Sequence, residues 1–145
     1  MKRSAALTPL SHDHHVALEV ALRLRRAGAD DLDAAVARFA AFWHPAGLRH
    51  FAIEEELLPD ALPAREAGWG EQIARMRAEH ERLRALADAL EQDGGDRLAT
   101  AHDLGTLLND HVRFEERELF VLLEARLAPG ALQRLGDRIA TAEDT

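Results

Sequence analysis

The chain has 145 residues, no cysteine and a formal charge of -8, with 18 Lys plus Arg against 26 Asp plus Glu. That length suits one domain with one core. Without cysteine there can be no disulfides, thiolate zinc sites or iron–sulfur clusters, which leaves His, Asp and Glu as the strong metal ligands. An acidic chain with no clustered excess of Lys and Arg suits a cation better than nucleic acid. The opening MKRSAALTPLSHDHH breaks up before a signal-peptide core could form, and no run approaches the roughly 18 apolar residues of a membrane span. The expectation is a cytoplasmic protein that engages neither membrane nor nucleic acid. Tyrosine is absent and Ala, Leu, Arg and Glu dominate, which predicts an all-α fold.

Thr8 followed by Pro9 reads as an N-cap and a first-turn proline. Leu10, His14, Leu18, Ala21 and Leu24 then recur at helical spacing until Gly28 and Asp30. A second helix, from near Asp31 to about Leu62, carries Ala35, Phe39, Trp43, His50, Glu54, Leu57 and Leu58. Pro45 inside it removes a hydrogen bond and clashes with the preceding turn, so a kink or a split is expected between Ala41 and Ala46. The third helix starts near Trp69 and places Ile73, Met76, His80, Leu83, Ala87 and Leu90 on one stripe before the turn QDGGD. Asp96 caps a fourth, with Leu98, Leu104, Leu108, His111, Glu115, Leu119 and Leu122, which Pro129 and Gly130 close. Leu132, Leu135 and Ile139 predict a short fifth helix over about 131–140. Four main helices joined by short turns predict an up-and-down four-helix bundle over about 8–127, within a single domain spanning 1–145.

The chemistry lies in two similar stretches, HFAIEEELLP from His50 and HVRFEEREL from His111. Helical residues four apart sit about 5 to 6 Å from each other at Cβ, so His50 with Glu54 and His111 with Glu115 can each present an imidazole beside a carboxylate. The apolar neighbours place both pairs on the core face, where a buried carboxylate costs several kcal/mol unless a cation compensates it. His14 and His80 lie on the apolar stripes of the other two main helices. Each main helix thus turns one histidine inward, and two add a glutamate. Four imidazoles with two carboxylates suit a pair of iron or manganese ions.

The runs LSHDHHVAL, HFAIEEELLP, AEHERL and HVRFEERELF, in that order, resemble the haemerythrin-like, or HHE cation-binding, family. The resemblance implies a four-helix bundle around a non-haem di-iron centre, bridged by an oxo or hydroxo group. His14, His50, His80 and His111 would be its terminal ligands, Glu54 and Glu115 its bridges, and manganese or zinc the alternative metals. It also implies a small-molecule partner: dioxygen, peroxide or nitric oxide. Oxygen-carrying members place a second histidine one turn before that of the third helix, where this chain has Met76, and an aspartate where it has Glu116. With about six ligands per iron, several positions stay open. That favours sensing or consuming a small diatomic or peroxide over reversible oxygen transport. A metal-stabilised regulatory module with an unidentified protein partner and a di-iron peroxidase or oxidase are the other readings, and no catalytic residue is assigned.

Around this set, Asp13, Glu79 and Asp110 each directly precede an inward histidine and read as solvated surface or as acceptors for ring N–H groups. Glu55, Glu56, Glu116 and Glu118 read as solvated or paired with Arg113 and Arg117, with Glu55 or Glu116 able to replace its neighbour as a ligand. His12, His15, His44 and His102 read as surface, with His15 the alternative to His14. Trp43, Phe51, Phe114 and Phe120 are expected to form an apolar shell that limits water near the metals, and Met76 to fill the core.

Overall fold

The computed structural model describes residues 2–92 and 95–145, and every regular element among them is helical, with no strand. Helix α1 spans Thr8–Arg26, α2 Leu32–Phe42, α3 Leu48–Leu57, α4 Trp69–Glu91, α5 Arg97–Phe114, α6 Phe120–Arg126 and α7 Pro129–Glu143. Two π turns, Trp43–Gly47 and Glu115–Leu119, join α2 to α3 and α5 to α6. Part of the predicted turn QDGGD, residues 93 and 94, lies outside the described residues.

Several boundaries differ from the sequence expectation for local reasons. Leu7, not Thr8, is the N-cap of α1, and the Thr8 hydroxyl instead donates to the Ser4 carbonyl at 3.0 Å. Asp96 does cap α5, accepting from the Ala99 N–H at 3.0 Å. Pro129 opens α7 rather than closing the preceding helix, and α7 extends to Glu143, beyond the expected 140. Pro45, which has no N–H to donate, sits within the first π turn, and the flanking Phe42 and Leu48 both keep right-handed helical dihedrals. The second π turn inserts one extra residue, about 100° of rotation, after Phe114. Leu123 consequently takes the buried place that α-periodicity gives to Leu122, which is half-buried. On α1 the buried stripe runs through Ala17 and Val20, and Leu18 is half-buried.

The apolar core has two parts. One gathers Val20, Leu24, Phe39, Leu83, Leu104 and Leu108, and the other Leu10, Leu58, Met76, Phe120, Leu123 and Ile139. Along α1 the change from one to the other falls between Leu10 and Ala17, and along α4 between Met76 and Leu83. His14 and His80 stand at those two crossings, so polar side chains occupy the level where two apolar halves meet. Helix α7 adds Leu135 and Ile139 to the second part, and Gly136 lets its backbone approach Ala6 so closely that a Cβ would lie 2.7 Å from the Ala6 Cα.

Gly105 sets the approach of α5 to α1. A Cβ there would stand 2.7 Å from the Ala21 carbonyl oxygen and 2.9 Å from the Arg25 nitrogen, both backbone atoms that cannot rotate away. On an open helix surface Gly→Ala gains roughly 1 kcal/mol of propensity. Here overpacking of about 1 to 3 kcal/mol outweighs that gain. Gly105→Ala is therefore expected to lower the urea midpoint of unfolding, and a raised midpoint would show that the two helices separate freely.

Candidate metal centre

Six polar side chains are buried among the described residues: His14, His50, Glu54, His80, His111 and Glu115. They come from α1, α3, α4, α5 and the second π turn, and they meet in two overlapping groups. His14, His50, Glu54 and Glu115 form one; Glu54, His80, His111 and Glu115 form the other, with ligand-type atoms within 4.8 Å of one another in each. The glutamates belong to both. Helical spacing explains the pairs within each rod: His50 Nε2 lies 3.2 Å from Glu54 Oε2, and His111 Nε2 3.2 Å from Glu115 Oε2. Between rods, His14 Nε2 is 2.9 Å from Glu115 Oε1 and His80 Nε2 is 3.2 Å from Glu54 Oε1.

Proximity does not satisfy these atoms. Both oxygens of Glu54, Oε2 of Glu115, and Nε2 of His80 and of His111 have no hydrogen-bond partner among the described residues. They face each other at contact distance, yet the ring N–H directions miss the carboxylate oxygens. Leaving such groups unmatched costs about 1 to 3 kcal/mol apiece, more when charged. Oxygen and nitrogen donors that converge on a common centre while missing one another are the arrangement a cation requires.

The outward ring nitrogens are matched. His14 Nδ1 meets Glu116 Oε2 at 2.6 Å, His50 Nδ1 meets Asp13 Oδ2 at 3.0 Å, His80 Nδ1 meets Glu55 Oε2 at 2.7 Å, and His111 Nδ1 meets Glu79 Oε1 at 2.8 Å. Glu55 and Glu116 therefore point away from the centre. Their ion-pair partners are Arg84 and Arg3, not Arg113 or Arg117, and Glu118 lies 3.6 Å from Arg75. Asp13 and Glu79 reach ring N–H groups too, though on the neighbouring rod, whereas Asp110 is exposed and bonds to Asn109. The sequence signal for these four acids was their position one residue from an inward ligand. The roughly 100° offset takes them off their own stripe and onto the next helix.

Of the other histidines, His12 and His15 are exposed, the exposed His44 pairs with Glu91, and His102 bonds to the Ala27 carbonyl at 2.8 Å. The aromatic shell is present. Phe51 stacks on His80 with centroids 3.8 Å apart, and Phe120 on His14 at 5.4 Å. Trp43 packs edge-on against Phe51, and Phe114 lies 6.4 Å from His111. Met76 is buried in the core. A cavity of about 10 Å³, on the order of a single water, abuts His14, His50 and His111 beside Phe42, Gly47 and Phe51.

Residues 6–123 match the family model of the hemerythrin HHE cation binding domain. The chain belongs to the hemerythrin HHE cation-binding family. No curated protein and no solved structure matches it. For an HHE domain, the buried histidine and glutamate groups are where a metal could be held. No helix is long and apolar enough to cross a membrane.

The same carboxylates favour the protonated form of the four buried rings. Burial acts to lower all four imidazole pKa values, and the surrounding carboxylates overcome it. His14 and His80 are raised, His50 is raised well above its ordinary value, and the Glu115 carboxylate with the Glu79 hydrogen bond lifts His111 to about 10. Burial pushes Glu115 up, but His111 and the other rings hold it well below the ordinary range. A raised histidine stabilises the fold fully below its unfolded value of 6.5 and loses that contribution as pH rises through the folded value. The depressed Glu115 contributes above 4.5 and fails only on acidification through its folded pKa. Metal-free protein should thus lose stability from about pH 6.5 towards 10, and His111→Gln should flatten that decline in urea melts. Parallel pH profiles for the two proteins would contradict this assignment.

Proposed function

We propose that the protein holds two iron ions, one against His14 and His50, the other against His80 and His111, with Glu54 and Glu115 shared between them. Through this pair it senses or reacts with dioxygen, peroxide or nitric oxide in the cytoplasm. One observation carries the reading: the two glutamates common to both groups are 0% exposed, and three of their four oxygens lack a hydrogen-bond partner among the described residues. Two carboxylates serving two nitrogen pairs are the donor set of a bridged cation pair, and imidazole with carboxylate suits iron or manganese. The reading includes the up-and-down packing of the long rods as a four-helix bundle and the assignment of residues 1–145 to one domain.

Bound iron would supply redox change and exchangeable coordination positions. The chain's own residues do the rest. The Nδ1–H bonds keep each ring turned so that Nε2 faces inward. Phe51 and Phe120 cover two of the rings against water. The cavity beside His14 and His50, on the order of a single water, supports a ligand of one or two heavy atoms over a larger organic substrate.

Anaerobic titration of the metal-free protein with ferrous iron is expected to reach two equivalents per chain, and exposure to air to bring up near-ultraviolet charge-transfer bands. His50→Ala and His111→Ala should each lose most of one equivalent. Uptake well below two, or undiminished uptake in both variants, would overturn the proposal.

A further inference from the structure

The four acids that hold the outward ring nitrogens follow a rule of placement. Glu116, in the turn after α5, holds His14 of α1, and Asp13 of α1 holds His50 of α3. Glu55 of α3 holds His80 of α4, and Glu79 of α4 holds His111 of α5. Each rod thus passes a carboxylate to the histidine of the next, and the fourth link returns to the first. We propose that Asp13, Glu55, Glu79 and Glu116 are positioning residues forming a closed collar, which sets all four imidazoles for metal as one unit.

The collar is built, not incidental. Its four rings are at most 4% exposed, so the acids rather than bulk water meet their outward nitrogens. Three of the acids are themselves fixed from outside. Arg84 grips Glu55 through two bonds of 2.9 and 3.0 Å, Arg75 donates to Glu79 at 3.0 Å, and Ser11 donates to Glu116 at 2.8 Å with Arg3 alongside. Arg84 and Arg75 also lie over Phe51 and Phe114, which restricts the guanidinium planes. The fourth corner differs: Asp13 and His50 are joined by Glu143 of α7, which Arg49 approaches at 3.4 Å. The last helix thereby takes part in the collar, although it gives nothing to the centre.

A ring can present Nε2 to a metal only if its other nitrogen is held in a direction consistent with that geometry. Because neighbouring rods share the acids, a shift of one rod alters the histidine of another. Exposed carboxylates close by in sequence have no such effect. Asp110 directly precedes His111, as Glu79 precedes His80, yet it is exposed and its side chain accepts from Asn109 rather than from a buried ring.

The inference rests on the metal reading above, and the test separates the two. Ferrous iron is the probe, its affinity read by competition with a chelator. In parallel, ring-nitrogen NMR of the metal-free protein reads exchange-protected Nδ1–H resonances. Glu79→Ala and Glu55→Ala are each expected to weaken iron binding about 10- to 100-fold and to remove the resonance of His111 and His80 respectively. Glu79→Gln, which keeps an oxygen acceptor, should lose less, and Asp110→Ala should stay within about twofold of wild type. Wild-type affinity in both alanine variants, or an equal loss in Asp110→Ala, would overturn the collar, the latter by showing that charge rather than contact matters. Should wild type take up no iron, the metal reading fails alone. The collar then stands if the alanine variants lose their ring resonances and falls if they keep them.

Discussion

Two carboxylates, Glu54 and Glu115, lie at the centre of this protein with 0% exposure, and the partners that reach them among the described residues are imidazoles. No arginine or lysine among those residues comes within ion-pair range of either. The rest of the structure is arranged around that constraint. Solvation lost by a buried carboxylate must be replaced by opposite charge and aimed donors, or the carboxylate must take up a proton. Here four rings face the two carboxylates, which raise the imidazole pKa values against the effect of burial. Yet three of the four carboxylate oxygens lack an aligned partner among the described residues, so the protein's own donors satisfy them only in part.

The fold answers this need with the simplest helical geometry. A spacing of four puts His50 with Glu54 and His111 with Glu115 on shared faces, and one histidine from each of α1 and α4 completes the set. The apolar core divides on either side of this level, so the polar atoms are sealed by leucine and phenylalanine above and below. The outer acids then fix the rings from behind, and arginines fix most of the acids. Burial decreases outward, from central atoms without an aligned partner among the described residues to ordinary partly exposed ion pairs.

Much of this was legible in the sequence because both signals are periodic. Stripes such as Ile73, Met76, His80, Leu83, Ala87 and Leu90 are all buried as read, since a helix that buries one face must repeat at about 3.6 residues. The inward histidines and glutamates were found because they interrupt such stripes. What escaped were features that depend on the neighbouring rod. On their own helices Asp13 and Glu79 read as surface or as ring acceptors and Glu55 and Glu116 as surface or as ligands, and only the packing shows which ring each one meets. The π turns escaped for a related reason. Neither WHPAG nor EEREL announces an extra residue, and the shift from Leu122 to Leu123 is visible only once the following turn is placed. Residue preference makes Thr8 a cap, but its hydroxyl donates to the Ser4 carbonyl instead.

The most direct test is a crystal structure of the iron-loaded protein with diffraction recorded at the iron absorption edge. Two anomalous peaks between Glu54 and Glu115, one beside His14 and His50 and the other beside His80 and His111, are the result this account requires. Iron found only on exposed acids, or a single peak outside the centre beside Asp13 and Glu143, would contradict it.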